Sequence, residues 1–202
     1  INKELIITYY QLQNNVDNLI KKLFALQNEF ISADLEQRKI IYNNNRKLYN
    51  SLKNKSCENN ELEIASLFIF LNKTCFNGLY RVNKNGDFNV PMGSYKNPLI
   101  CDEFNLKKSS SLLKNVKIIC GDYSRCIDYI NDETFVYIDP PYRPLTQTSS
   151  FTSYSAKVFD DKEQIRLADF INIIVWRKQA EVICNYFDKG NQIAIEGRLQ
   201  TG

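Results

Sequence analysis

The sequence predicts an α/β fold in which a mostly parallel sheet is interrupted by a helical and β-hairpin insertion. Three observations carry this. A strand–helix–strand rhythm runs through Val116–Cys120, Gly121–Ile130 and Thr134–Ile138, the order of a parallel sheet. Asn85-Gly86 stands between alternating apolar residues, the strongest short-range hairpin signal. Ahead of both, Leu5, Tyr9, Leu12, Val16, Leu19, Leu23, Leu26 and Phe30 recur at alternating gaps of four and three, a helical stripe.

The elements follow in order. The period of the first stripe permits a coiled coil. Asn14-Asn15 favours a break instead, giving two successive amphipathic helices with a capping Asn between them. Residues Tyr42 to Asn60 are rich in Asn and Lys and read as polar helix and loop. Glu61 to Thr74 is apolar on nearly every side and reads as a well-buried helix. After the hairpin, Val116–Cys120 reads as a strand, and Gly121-Asp122 opens a short helix to about Ile130. Thr134–Ile138 is short, apolar and rich in aromatic and β-branched residues, as a buried strand is. Arg143 to Tyr154 is a Ser/Thr-rich loop, and Asp160 or Asp161 caps a helix through Gln164 to Asp169. The tail reads as a strand (Phe170 to Trp176), a short amphipathic helix (Lys178 to Phe187), a Lys-Gly turn and an alternating strand through Ile193, Ile195, Gly197 and Leu199, the middle of an OB barrel.

Bulk properties exclude more than they assert. The 202 residues, 44% of them hydrophobic, suffice for one domain or two small ones with a real core. A net charge of +3 is a weak argument for a nucleic-acid partner. Arg38 to Lys55 and Arg81 to Lys117 interleave Lys and Arg with Tyr and Asn, a pattern that by itself reads as a solvated face. With no histidine, Ser-His-Asp and Cys-His catalysis and most catalytic zinc sites are removed. The six cysteines, Cys57, Cys75, Cys101, Cys120, Cys126 and Cys184, form no CxxC pair and read as reduced cytosolic thiols. No signal peptide and no membrane-length apolar run is present.

The sharpest chemistry is Asp139-Pro140-Pro141-Tyr142 at the end of the Thr134–Ile138 run. In open α/β sheets, ligand chemistry sits outside the carboxyl ends of strands. The amine of adenine is a poor nucleophile because its lone pair is delocalised into the ring. Two acceptors, one for each N–H, draw it toward a pyramidal geometry. The Asp139 carboxylate can be one and the Pro140 carbonyl the other, because proline keeps its C=O while losing its N–H. Pro140 and Pro141 stiffen the turn, and Tyr142 offers a flat face to a base that has left the duplex. An ordinary strand-to-loop turn is the competing reading of the tetrapeptide alone.

Together these residues resemble the Dam-type (D12 class) adenine-N6 DNA methyltransferases. The family's hairpin segment appears from Phe76 to Pro98 nearly in full, its Gly-Asp-aromatic as Gly121-Asp122-Tyr123, its Ser/Thr loop as Thr148 to Tyr154, and its acid-Gln-Ile-Arg-Leu-Ala-Asp helix as Glu163 to Asp169. The resemblance covers residues 1 to about 169, with the DNA-recognition insertion at about 30–110. It implies an incomplete Rossmann-like methyltransferase sheet and S-adenosylmethionine as methyl donor, with no metal. Asp139, Pro140, Pro141 and Tyr142 would hold the target adenine, with Asp139 also near the donor. Asp122, with Tyr123 beside it, would accept from the donor's adenine amine; a helix N-cap is the alternative for Asp122. Arg81 would read guanine O6 and N7 in the major groove, a phosphate contact or a surface charge being the alternatives. Asn77, Asn83 and Pro91 would shape that reading element, and the Thr146 to Tyr154 loop, with Tyr154, would close over the flipped base. The implied target is GATC. Ser94 stands where Arg is common in the family.

Two departures set further expectations. The family's Gly-containing donor segment and an acidic strand end precede Ile-Asn-x-Glu-Leu-Ile, and this chain begins at Ile1-Asn2-Lys3-Glu4-Leu5-Ile6. The expectation is that the cofactor-binding half of the sheet is absent and that these residues alone are inactive. From Asp169 to Gly202 the chain is similar to bacterial single-stranded-DNA-binding proteins, with Trp176 stacking on a base, or buried as a core tryptophan, and Arg177 near the backbone path. The expected organisation is therefore a partial methyltransferase over 1–169 and an OB-fold fragment over 170–202, a join of two truncated genes. Duplex DNA is the expected partner, with single-stranded DNA at the C-terminal segment, no membrane, and a cytoplasmic location. A non-catalytic DNA-binding protein and a non-functional fusion fragment are the alternatives.

Overall fold

The computed structural model describes residues 2–53, 60–131, 134–139 and 161–170. The chain divides into two compact units, with the boundary after Cys120. The first carries α1 (Lys3–Asn14), α2 (Val16–Ser32), α3 (Leu35–Lys53), α4 (Glu61–Thr74) and α5 (Glu103–Leu113). The second carries a 3₁₀ segment (Tyr123–Tyr129) and α6 (Asp161–Phe170).

The N-terminal stripe breaks where expected. Asn2 caps α1, its side-chain oxygen accepting from the Leu5 N–H at 3.0 Å. Asn15 separates α1 from α2 with φ −147° and ψ 34°, so the stripe folds as two helices rather than one coiled-coil strand. Asn15 does not cap α2 through its side chain. Its amide donates instead to Gln11 Oε1 at 2.9 Å, and its backbone N–H bonds to the Gln11 carbonyl at 2.8 Å. The stripe is buried at Leu12, Leu19, Leu23 and Phe30, whereas Leu5 and Tyr9 are exposed.

Helix α4 is the hub, packed against α1, α2 and α3. Its Ile64, Leu67, Phe70 and Leu71 are buried, which is why the segment is apolar around most of its circumference. Phe70 meets Phe30 of α2 edge-on at 5.5 Å. The buried hydroxyls of Ser66 and Thr74 donate back to the carbonyls of Glu63 and Phe70 at 2.9 and 2.6 Å, so neither is left unsatisfied. Helix α5 lies against α1 and α2. The chain beyond it is tied to α1 by Gln13, which donates to the Leu113 and Val116 carbonyls at 2.6 and 2.8 Å, and by the Tyr10 hydroxyl on the Ile118 carbonyl at 2.9 Å.

Two segments expected as strands differ from that reading. Val116–Cys120 and Thr134–Asp139 carry no ladder; the β-pairings among the described residues are the isolated bridges Cys75–Met92 and Val82–Phe88. Phe135 is 68% and Tyr137 76% exposed, where a buried strand was expected. An apolar run shows that a segment suits a sheet, but its ladder partners come from distant chain, and none of the described residues lies alongside. The expected short helix after Asp122 is a 3₁₀ segment, and the expected C-terminal helix is α6. The OB-like tail lies outside the described residues from 171 on. Among the described residues no helix is long and apolar enough to cross a membrane.

Candidate nucleic-acid interface

The hairpin forms where Asn85-Gly86 predicts it. Val82 and Phe88 are bridged antiparallel, flanked by Asn83 N–H on the Asp87 carbonyl at 2.9 Å and Asn89 N–H on the Arg81 carbonyl at 3.2 Å. Gly86 takes φ +82° at the tip, a conformation that glycine adopts without strain. Asn83 builds the turn from inside, its Oδ1 accepting from the backbone N–H groups of Asn85 and Asp87, both at 2.9 Å.

Strand parity then sorts the side chains. Phe88 and Val90 point inward and are buried, and Phe88 joins Tyr49, Phe68 and Tyr80 in an aromatic cluster with centroids 5.5 to 6.4 Å apart. Arg81 and Asn83 fall on the opposite face and are exposed, with Asn89, across from Arg81, on the same side. At the base, Cys75 pairs with Met92 through Phe76 N–H on the Pro91 carbonyl at 2.9 Å and Gly93 N–H on the Thr74 carbonyl at 2.8 Å. Val82 stands seven positions after Cys75, but Met92 only four after Phe88. The three extra residues match the 3₁₀ turn Phe76–Gly78, which pushes Asn77 outward. Asn77 and Gly78 hold φ values of +52° and +61°, and Asn is among the few side chains that tolerate this region.

Behind the hairpin, α3 supplies what a neighbouring strand would. The Arg38 guanidinium donates to the Lys96 carbonyl at 2.7 Å. The Tyr42 hydroxyl and Arg46 both donate to the Val90 carbonyl, at 2.8 and 3.2 Å. Asn50 pairs with both backbone groups of Phe88, its amide on the carbonyl at 3.0 Å and its oxygen under the N–H at 2.8 Å. Lys53 donates to the Gly86 carbonyl and lies 3.8 Å from the Glu4 carboxylate. The helix runs up as the segment runs down, one donor per turn. Burial pushes the Tyr42 phenol above its ordinary value, so it stays a donor. Sequence reading took this helix for a polar face and missed these residues; polar side chains at four-residue spacing from Arg38 were the signal. Burial also pushes the Cys75 thiol up to about 11, so Cys75 is inert packing rather than a nucleophile.

Of the expected DNA-reading residues, Asn77, Arg81, Asn83 and Pro91 are therefore gathered on or beside one hairpin. A groove of about 620 Å³ between α3 and residues 91–96 runs alongside, with Arg38, Lys39, Arg46, Ser94, Tyr95 and Lys96 on its walls. Tyr154, Trp176 and Arg177 lie outside the described residues.

In the second unit, Asp122 caps the 3₁₀ segment, its Oδ1 accepting from the Ser124 N–H at 3.1 Å. That geometry realises the N-cap alternative. Arg166 of α6 also grips the carboxylate with both η nitrogens, at 3.1 and 2.7 Å. The guanidinium lies 4.4 Å from the centre of the Tyr123 ring and bonds Glu163 at 2.8 and 3.1 Å. The Arg166 contact, ahead of the Ser124 N–H, holds the Asp122 carboxyl well below the usual carboxylate range. A carboxylate acceptor beside an aromatic ring is what an aminopurine needs, so these residues suit the adenine end of a methyl donor. A purine amine there would share Oδ2, where Arg166 already sits. Arg166 went unassigned in the sequence reading, although its helix motif was recognised. Asp139 is exposed and has no hydrogen-bond partner among the described residues, whereas Pro140, Pro141 and Tyr142 lie outside them. No cluster of three or more His, Cys, Asp or Glu able to hold a metal ion occurs among the described residues.

Comparison with known proteins places this geometry in a family. The profile of the D12 class N6 adenine-specific DNA methyltransferases matches residues 1–192, continuing past Asp169, where a different fold was expected. The type II methyltransferase M.MjaIII of Methanocaldococcus jannaschii is 55% identical over 84% of this chain and 58% of its own length. M1.LlaDCHI of Lactococcus lactis subsp. cremoris, also a type II methyltransferase, is 37% identical over 83% of this chain and 57% of its own. The DNA adenine methylase of Haemophilus influenzae is 30% identical over 93% of this chain and 62% of its own. The chain thus spans somewhat over half the length of these relatives.

Replacing Asn50 by Ala is expected to cost about 1–3 kcal/mol in urea unfolding, because two backbone groups of Phe88 lose their partner inside the packed face. Amide exchange at Phe88 should accelerate with it. For Asp122, the folded carboxyl titrates below its unfolded value of about 3.9. Its contribution to stability is complete above that value and is lost as pH falls through the depressed folded one. In Arg166→Gln, carbonyl-carbon NMR should find the Asp122 titration moved up toward the ordinary range, and the acid limb of the unfolding curve should flatten.

Proposed function

This chain belongs to the D12 class N6 adenine-specific DNA methyltransferases, and from that premise we propose that the whole protein transfers a methyl group from S-adenosylmethionine to adenine N6 in duplex DNA, within GATC. The observation that carries this reading is the hairpin of residues 76–93, which turns Arg81 outward on a backbone fixed from behind by α3. An arginine fork held so can meet guanine O6 and N7 together, and the basic groove beside it suits a phosphate strand. The bound donor supplies an electrophilic methyl on sulfur. Asp139 and the Pro140 carbonyl accept from the two N–H bonds of the everted adenine, so the amine lone pair is directed outward, and Tyr142 stacks on the ring. Asp122 and Tyr123 hold the donor's adenine. Direct displacement needs no covalent enzyme intermediate, in keeping with a chain that has no histidine. The 55% identity to a type II methyltransferase, against 30–37% to DNA adenine methylases, favours a place among the type II methyltransferases.

The test is label from a radioactive methyl donor on GATC duplexes, read by mass spectrometry of the nucleosides. N6-methyladenine in GATC is the expected product, and label on cytosine, or on adenine irrespective of sequence, would sink the reading. Asp139→Ala in the whole protein should lower the rate by at least about a hundredfold with duplex affinity little changed.

A further inference from the structure

We infer that Asn89 is a positioning residue for sequence reading, orienting the Arg81 guanidinium so that its two η nitrogens are offered together; this rests on Arg81 being the guanine reader proposed above. Arg81 and Asn89 face each other directly across the hairpin, because the Asn89 N–H bonds to the Arg81 carbonyl at 3.2 Å. Their side chains meet as well, Arg81 Nε donating to Asn89 Oδ1 at 2.9 Å.

The consequence follows from the shape of the fork. A guanidinium can present either its side, Nε with one η nitrogen, or its end, both η nitrogens. With Nε engaged by Asn89, the side edge is occupied and the end edge remains. An exposed arginine otherwise loses much rotamer freedom on binding; here part of that loss has already occurred in the free protein, as preorganisation requires. Position 89 is itself fixed, since its neighbour Phe88 is buried and held at both backbone groups by Asn50. Asn, not Asp, is the apt acceptor. A carboxylate would hold Nε equally well, but would also cancel the positive charge that faces DNA.

Two measurements test this in the chain as it stands. In nitrogen-15 NMR, the Arg81 Nε–H should exchange more slowly than that of an unbonded exposed arginine, lose this protection in Asn89→Ala, and keep it in Asn89→Asp. In anisotropy titrations, a GATC duplex should bind about tenfold tighter than one carrying 7-deazaguanine, which lacks N7. That ratio should shrink below about threefold in Asn89→Ala and survive in Asn89→Asp, even though the added negative charge weakens binding to both duplexes. Arg81→Ala should abolish the ratio. If Arg81→Ala abolishes it and Asn89→Ala leaves it intact, the positioning role is wrong and the guanine-reading role stands. If Arg81→Ala, or the unaltered chain, gives no difference attributable to Arg81, the reading role falls first. Unprotected Nε–H in the unaltered chain overturns the inference directly.

Discussion

The first unit depends on how the backbone of residues 86–96 is satisfied. Those residues run along a helix, with the isolated bridges at Phe88 and Met92 as their β-pairing among the described residues. A part-buried carbonyl or N–H without a partner costs about 1–3 kcal/mol, so several together would exceed the margin of a small domain. Helix α3 removes that cost with side chains: Arg38, Tyr42, Arg46, Asn50 and Lys53 each reach a backbone oxygen on consecutive turns. A sheet would have bonded both edges of the strand. Here α3 side chains bond one edge, the isolated bridges to residues 75 and 82 serve the other, and the face with Arg81 and Asn83 stays exposed.

That arrangement explains which parts of the fold were legible in sequence. The break at Asn14-Asn15, the buried helix Glu61–Thr74, the Asn85-Gly86 hairpin and the start of α6 are local events, set by propensity and turn chemistry within a few residues. The role of α3 is not local. Its Asn and Lys residues look like a solvated face because nothing in their own segment reveals the carbonyls they will meet some forty residues later. The strands expected at Val116–Cys120 and Thr134–Ile138 form no ladder among the described residues: composition marks a segment for a sheet, but a ladder needs partners from distant chain. At the site, the hairpin was legible because it is a turn motif, whereas the reading role proposed for Arg81 came from the family resemblance. Arg166 was not, since its meaning depends on a carboxylate more than forty residues upstream.

The two acids of the second unit illustrate a division that residue type alone hides. Asp122 is committed, with an N–H and both η nitrogens of Arg166 on its carboxylate, and its charge is locked in by that commitment. Asp139 has no partner among the described residues. An acceptor meant to grip a substrate amine has to be uncommitted until the substrate arrives, because a carboxylate already hydrogen-bonded to the protein would surrender one bond to make another and gain little. An acceptor meant to shape a pocket can be held throughout. In the roles proposed above, Asp139 is the acceptor that awaits the substrate amine and Asp122 is the one that shapes the donor's purine pocket.

The same logic separates stability from recognition in the hairpin. Inward residues such as Phe88 and Val90 are buried and replaceable only by side chains of similar volume. Outward residues meet their partners within the hairpin itself, Asn83 on the turn amides and Asn89 on Arg81. The recognition proposed above would therefore rest on groups whose loss need not unfold the unit, since the α3 donors hold the backbone regardless. A family that reads different sequences could change the outer face while leaving the clamp untouched, because in this fold the clamp is set by α3 rather than by the hairpin itself.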